Sequence, residues 1–374
     1  MENIKIGLVG AGWMGKAHAI SFNNAKLLSK EEIGNPVFEI VADVIEDNVK
    51  TIYKDMNFNR WTTDWKEVVT DENVDLVDIA TPNAFHFEIA KMALENGKHV
   101  YCEKPLTLSH KESKILADLA NEKGVINYVG YNNVLNPANN YVKELIEEGA
   151  LGEITQFKGT YDQDSLLDPN SPITWRHINK FSGSGALGDL GSHLLSISQY
   201  LMGNIEKVNA ISETFIPKRP KEEGSTEMAE VENDDVITMI AKYENNALGT
   251  ISSSRIAAGR KNNLGYEIQG TKGTVYYSLE AMNDVHVYFT KDNARDRGFR
   301  KVFLNTYHNG YSTFQPADGI AIGYNDMKIL EATKVLSAIC NNETITTDFR
   351  FAEQMDATIK AILNSAKNLS WENV

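Results

Sequence analysis

The stretch Ile4-Lys5-Ile6-Gly7-Leu8-Val9-Gly10-Ala11-Gly12-Trp13-Met14-Gly15 joins an apolar, strand-length run to three closely spaced glycines, and a helix-like segment with Ala17, Ala19, Ile20 and Phe22 follows. Gly10 permits a tight turn, Gly12 lets the backbone approach a bound anion, and Gly15 allows the helix to pack closely on the strand. The helix N-terminus adds N–H groups that suit a pyrophosphate. Glycines in this spacing are common. What makes them specific is their place at the first strand-to-helix turn of an alternating region, which predicts a dinucleotide site at Gly10, Gly12, Trp13, Met14 and Gly15.

The alternation continues outward from that turn. Strand-length runs at Phe38 to Ala42, Val74 to Ala80, His99 to Cys102 and Val125 to Val129 alternate with amphipathic stretches. Gly97 and Gly124 stop two of the helices, and Ser109 with Glu112 opens the second with a capping box. At least five strands separated by helices predict a parallel sheet covered on both faces. After Tyr131 the pattern changes. Asn136-Pro137 begins a helix, and then strands follow with little helix between them: Ile154 to Tyr161, Val208 to Phe215, Val236 to Tyr243, Leu248 to Ile256, Leu264 to Gln269, Thr274 to Ser278 and Val285 to Phe289. Asn245-Asn246 and Thr271-Lys272-Gly273 suit tight hairpins, so an antiparallel sheet is expected. A helix is expected over Ala186 to Leu201, with two more over Met327 to Ile339 and Phe351 to Leu369. The polar run Pro217 to Asp235 reads as a long hairpin loop or a mobile segment. The fold class is therefore α/β followed by α+β, with domains at 1–131 and 132–374.

Composition narrows the partners. Thirty-seven Lys and Arg against 51 Asp and Glu leave a formal charge of -14, a sign that repels phosphate backbones and anionic lipid. No nucleic acid or membrane partner is expected. No apolar run is long enough to span a bilayer, and no secretory signal opens the chain, so it is expected in the cytoplasm. Two cysteines, Cys102 and Cys340, make no disulfide framework, and no cluster has metal-ligand spacing, so no metal is expected.

Asp43 ends the second strand, where a carboxylate accepts hydrogen bonds from ribose hydroxyls and repels a 2′-phosphate. This favours NAD, and an insertion around Ser29 to Pro36 accounts for the long spacing from the glycines. Thr81-Pro82-Asn83 and Glu103-Lys104-Pro105 follow two further strands and belong near the nicotinamide. Lys104 is a cation suited to stabilising a developing alkoxide, presented at an angle that Pro105 restricts. In Gly183-Ser184-Gly185-Ala186-Leu187-Gly188-Asp189-Leu190-Gly191-Ser192-His193, Asp189 and His193 are four apart and share a helical face. His193 is a reasonable base at neutral pH, and the glycines are expected to leave that face open to a ligand.

Together these residues resemble the glucose-fructose oxidoreductase and inositol dehydrogenase family. The resemblance rests on Gly10 to Gly15, Thr81-Pro82-Asn83 with His86, Glu103-Lys104-Pro105 and Gly188 to His193, and it spans nearly the whole chain. It implies a Rossmann domain followed by a substrate domain with an open sheet face, and NAD held by the glycines, Asp43, Thr81, Asn83, His86 and Glu103. It implies Lys104, Asp189 and His193 as the catalytic group acting on a secondary hydroxyl of a sugar or cyclic polyol. Asn132 matches a segment lying between cofactor and substrate in relatives, while Asn133 and Val134 depart from the aromatic and Arg many of them carry. Trp175 is expected to stack on a pyranose-like ring, with Arg176 and Gln163 on its hydroxyls. The open sheet face implies a homodimer or homotetramer. Two alternatives stay open, an NAD-dependent redox-assisted glycoside hydrolase and a non-catalytic NAD-dependent regulator.

Overall fold

A computed structural model describes residues 2–29, 33–313 and 315–374. Contacts divide the chain into two units, one of residues 1–135, 313–315 and 322–356, the other of 136–312, 316–321 and 357–374. After the helical start at 136 the chain thus comes back to the first unit, which a single boundary after Tyr131 does not anticipate.

The first unit carries a six-stranded parallel sheet: β1 (Asn3–Val9), β2 (Asn35–Ala42), β3 (Arg60–Thr62), β4 (Leu76–Ile79), β5 (His99–Cys102) and β6 (Asn127–Val129) in the order β3-β2-β1-β4-β5-β6. This is the doubly wound order, whose direction reverses between β1 and β4; ligands bind outside the strands' carboxyl ends at such a reversal. The strand β3 is an addition to the expected set. One core layer joins Ile4, Ile6, Leu76 and Tyr101 to Phe22 and Ala25 of the helix Trp13–Leu28, and to Ile329, Ala332 and Leu336 of the helix Tyr324–Asn341. Ser109 accepts a hydrogen bond from the Glu112 N–H at 3.3 Å, and Gly124 takes a left-handed φ of 64°, so the capping signals work as expected.

The second unit holds a nine-stranded sheet. Its strands are β7 (Ile154–Asp162), β8 (Ile205–Glu213), β11 (Val236–Tyr243), β12 (Leu248–Ser254), β13 (Asn263–Gly270), β14 (Gly273–Ser278), β15 (Asp284–Phe289), β16 (Arg300–Phe303) and β17 (Glu372–Asn373). The expected antiparallel pairing holds with one correction, since β12 runs parallel to β7. The chain leaves β7 through helices and returns by β8 and β11, so β12 arrives beside β7 in the same direction. Along β11, Ile237, Met239, Ala241 and Tyr243 are buried, while Thr238 and Ile240 are exposed. One sheet face carries helices and the other is open. The run Pro217 to Asp235 is a hairpin of β9 (Lys218–Pro220) and β10 (Met228–Glu230). No helix among the described residues is long and apolar enough to cross a membrane.

Candidate active site

The glycine turn behaves as its residues require. Gly10 has φ 102° and donates its N–H to the Ala42 carbonyl at 2.8 Å. A Cβ on Gly10 would lie 2.6 Å from the Ala80 carbonyl oxygen, and one on Gly15 would lie 1.9 Å from that of Gly10, whereas one on Gly12 would meet open space. Close packing thus demands the outer two glycines, and the middle one leaves room above the helix N-terminus, whose cap Gly12 brings no side-chain hydrogen bond. Trp13 is exposed beside the Tyr324 ring, and Met14 is half-buried.

Asp43 stands at the end of β2. Its carboxylate accepts the Ala11 N–H at 2.7 Å and the Ile45 N–H at 2.8 Å, which ties it to the turn. The expected insertion includes Lys30, Glu31 and Glu32, which lie outside the described residues. The turn, the helix terminus and a carboxylate at the second strand end fit the pyrophosphate and ribose of a dinucleotide. Two buried polar atoms without a protein partner, Thr81 Oγ1 and Asn132 Nδ2, add hydrogen-bonding capacity to the unit's strand-end loops.

His86 and Glu103 are both bonded within the protein. The His86 ring is fully buried, with Nδ1 2.8 Å from the Pro105 carbonyl and Nε2 2.9 Å from that of Thr81. Burial lowers its pKa against the pull of the two carbonyls, and in the neutral form the ring donates to only one of them at a time. Glu103 is 7% exposed, and its Oε1 faces His18 and Lys328, residues the sequence reading did not single out. Lys104 is half-buried, and its bond to Pro105 is cis. Asn83 opens a short 3₁₀ turn, Asn83–Phe85.

In the second unit, Asp189 and His193 sit differently from the single α-helix expected. Asp189 lies in a π-helical turn, Leu187–Gly191, and His193 in the α-helix Ser192–Met202 that follows. Such local widening recurs at functional sites. The glycines also have another reason than an open face. A Cβ on Gly185 would lie 1.9 Å from the Asp234 carbonyl oxygen, and one on Gly188 would lie 2.5 Å from Ser184 Oγ. Asp234 caps this segment, accepting the N–H groups of Gly185 at 2.8 Å and Leu187 at 2.9 Å. It belongs to the run that reads as a loop, and its place shows only in the fold.

Two clusters surround these residues. The Arg176 guanidinium lies 4.6 Å from the centre of the Trp175 ring, and its Nε is 3.6 Å from Asp189 Oδ2. Arg176 thus engages the indole face expected for a sugar and the carboxylate beside it. Asn233 holds the backbone there, donating to the Arg176 carbonyl at 2.9 Å. In the second cluster, Tyr161 meets the His193 ring edge-on at 6.1 Å, and Gln163 Nε2 donates to Asn262 Oδ1 at 3.0 Å and to the Tyr161 hydroxyl at 3.3 Å. His177 is buried, and burial together with Arg255 and Arg219 pushes it down to about 4.

A doubly wound sheet with a glycine turn at its first crossover, and a carboxylate closing that turn, defines a dinucleotide-dependent enzyme. Comparison with known proteins makes the class definite. Residues 4–131 match the oxidoreductase family with an NAD-binding Rossmann fold, and residues 140–276 match the GFO/IDH/MocA C-terminal domain. The chain is 35% identical over 385 residues to levoglucosan dehydrogenase of Pseudarthrobacter phenanthrenivorans, with 100% of this chain and 99% of that one covered. It is 27% identical to the NAD-dependent scyllo-inositol 2-dehydrogenase of Bacillus subtilis, over 83% of each. The solved structure of a levoglucosan dehydrogenase with NADH and levoglucosan superposes with a TM-score of 0.96 at 36% identity, covering 100% of both chains. The chain belongs to the GFO/IDH/MocA family of oxidoreductases, and its cofactor is NAD.

Proposed function

We propose that this chain is a dehydrogenase that oxidises a secondary hydroxyl of a neutral cyclic polyol or pyranose-like sugar, in the size range of levoglucosan and the inositols. The observation that carries this reading is the full-length likeness to levoglucosan dehydrogenase. NAD held at this site would supply the acceptor for the hydride that leaves the carbinol carbon. The hydroxyl proton passes to His193 as base, so the alcohol loses one hydride and one proton and becomes a carbonyl. Lys104 stabilises the negative charge developing on oxygen. Asp189, beside Arg176, supports the charge that His193 gains. Gly10, Gly12, Trp13, Met14, Gly15 and Asp43 hold the adenosine and pyrophosphate portion, while Thr81, Asn83, His86 and Glu103 shape the nicotinamide end. Asn132, Gln163, Trp175 and Arg176 face the sugar. Residues 1–131 serve as the cofactor domain, and 132–374 as the substrate and assembly domain.

The open sheet face supports assembly into a homodimer or homotetramer, since it exposes Ile211, Ile240, Leu248 and Tyr276. We place the enzyme in the cytoplasm, where NAD is at hand. The test is a panel of levoglucosan, inositols and aldoses incubated with NAD, read by NADH absorbance. Stoichiometric NADH supports the dehydrogenase. Glycoside cleavage with no net change in cofactor would replace it with a redox-assisted hydrolase.

A further inference from the structure

At the carboxyl ends of β4 and β5, the first unit buries three acids, a lysine and a histidine in one connected cluster with two tyrosines. The Lys328 ammonium, 2% exposed, is 2.6 Å from Glu103 Oε1, 2.9 Å from Glu331 Oε2, and 3.4 Å from both the Tyr101 hydroxyl and His18 Nε2. The His18 ring sits 2.8 Å from Asp78 Oδ1 and 2.9 Å from Glu103 Oε1. Glu331 in turn accepts from Tyr101 at 2.9 Å and from Tyr128 at 3.0 Å. Burial works to raise the Glu103 carboxyl, but Lys328 and His18 outweigh it and hold the group well below the usual carboxylate range. Burial likewise opposes a charged His18, and Asp78 chiefly reverses this, leaving the ring up at about 9.

Stability is a poor explanation for such a cluster. Desolvating paired charges often costs as much as their attraction returns, and well-packed apolar side chains of the same volume commonly do as well or better. Position is the better explanation, because three of its members stand on elements that carry part of the proposed cofactor site. His18 is on the helix that the glycine turn opens, Asp78 is three residues before Thr81, and Glu103 is next to Lys104. Glu103 has the central place. Its Oε1 is held by two cationic groups, and its Oε2 accepts the Lys104 N–H at 3.2 Å. Its carboxylate also packs on Gly130, where a Cβ would come within 2.9 Å of Oε1. The rotamer of Glu103 therefore has little freedom, and the backbone of Lys104 is bonded to it.

We propose that Lys328, together with His18, is a positioning residue: by fixing the Glu103 carboxylate it sets the Lys104 backbone, and so the place from which the Lys104 ammonium acts on the substrate oxygen. This rests on the reading of Lys104 as the group that stabilises the alkoxide. Neither Lys328 nor His18 touches substrate in this role. Misplacing a catalytic group by a fraction of its own length is expensive, costing about 100-fold for roughly 1 Å.

The experiment uses the full chain and a polyol that it turns over. Replacing Lys328 alone would leave buried acids unpaired and threaten folding, so the main variant is the pair Lys328→Met and Glu331→Gln, which removes one charge of each sign. In the folded double variant, kcat is expected to fall about 10- to 100-fold while NADH affinity, read by its fluorescence, stays close to that of the parent. In a Lys104→Ala background the same pair is expected to cost little more, because both changes act through one group. Should the pair not fold, His18→Gln, whose amide can still reach one carboxylate, enters the same comparison with the same expectations. Parental kcat in the folded variant would overturn the proposal, as would an undiminished loss in the Lys104→Ala background, each leaving the role of Lys104 standing. Normal kcat in Lys104→Ala alone would instead overturn the reading of Lys104, and this proposal with it.

Discussion

Glu103 and Asp189 are both carboxylates next to groups proposed to be catalytic, yet the two units hold them in opposite ways. Glu103 is buried between two cationic partners and packs against a glycine. Asp189 meets Arg176 at 3.6 Å with both side chains more than a third exposed. An exposed pair of this kind typically contributes no more than about 1 kcal/mol, whereas breaking a buried pair costs roughly 3–5 kcal/mol. Every turnover in the proposed reaction uses the same cofactor, but substrates differ across the family. A rigid charge cluster suits the first task, and an adjustable surface pair suits the second.

The largest effects should come from the two groups proposed to take the proton and to stabilise the developing alkoxide. His193→Ala and Lys104→Ala are each expected to lower kcat by about 10²- to 10⁴-fold with NAD affinity nearly unchanged. A rise in oxidation rate with pH is expected in the parent and should vanish in the His193 variant. If that limb persists at near-normal kcat, His193 leaves the mechanism and Lys104 becomes the candidate base. A smaller effect is expected at Asp43, whose Ala variant should narrow the preference for NAD over NADP about 10- to 100-fold, the equivalent of one hydrogen bond to a charged group. Equal efficiency with both cofactors in the parent would show that Asp43 does not select.

Arg176→Ala should raise KM for the sugar and shift stability by less than about 1 kcal/mol; a large loss of stability would mean that Arg176 belongs with the rigid elements. The finest test is pH. His177 is held neutral down to about 4, against an ordinary 6.5, so its contribution is present above about pH 6.5 and lost as the pH falls towards 4. Asp356 runs the other way. Burial pushes its carboxyl up to about 7, so its contribution is full in acid and lost as the pH rises through 7. Melting curves of Asp356→Asn should therefore decline less between pH 4 and 7 than those of the parent, and His177→Gln should lose less stability on acidification. Parallel pH profiles in variants and parent would remove this contrast.

What could be read in advance was local. The close approach of Gly15 to Gly10, the Asn136 side chain accepting from Ala138 N–H at 3.0 Å, and the left-handed Asn246 each depend on neighbours a few residues away. What escaped depends on distant chain. The three residues of β3 are too few to show an alternation, and the parallel step between β12 and β7 is fixed by the path between them. Lys328 and Glu331 gave the one missed signal: a charged pair three apart among Met327, Ile329, Leu330 and Ala332 looks like a solvated stripe, and only the sheet beneath it makes them interior. His18 escaped for a similar reason, since a helix following a glycine turn gives no hint of which of its polar residues faces inward.

The hairpin of β9 and β10 has a consequence for anyone who handles this chain. Its far end, Glu222-Glu223-Gly224, is exposed, and Gly224 has nothing within 4 Å of where a side chain would begin. Its return, Asn233 and Asp234, is buried and bonded to the segments that carry Arg176 and Asp189. Exposed tips are where added sequence is best tolerated. A fluorophore or affinity peptide spliced in at Gly224 should leave turnover intact, which gives immobilisation or labelling an internal attachment point, while a splice a few residues before Asn233 should abolish it.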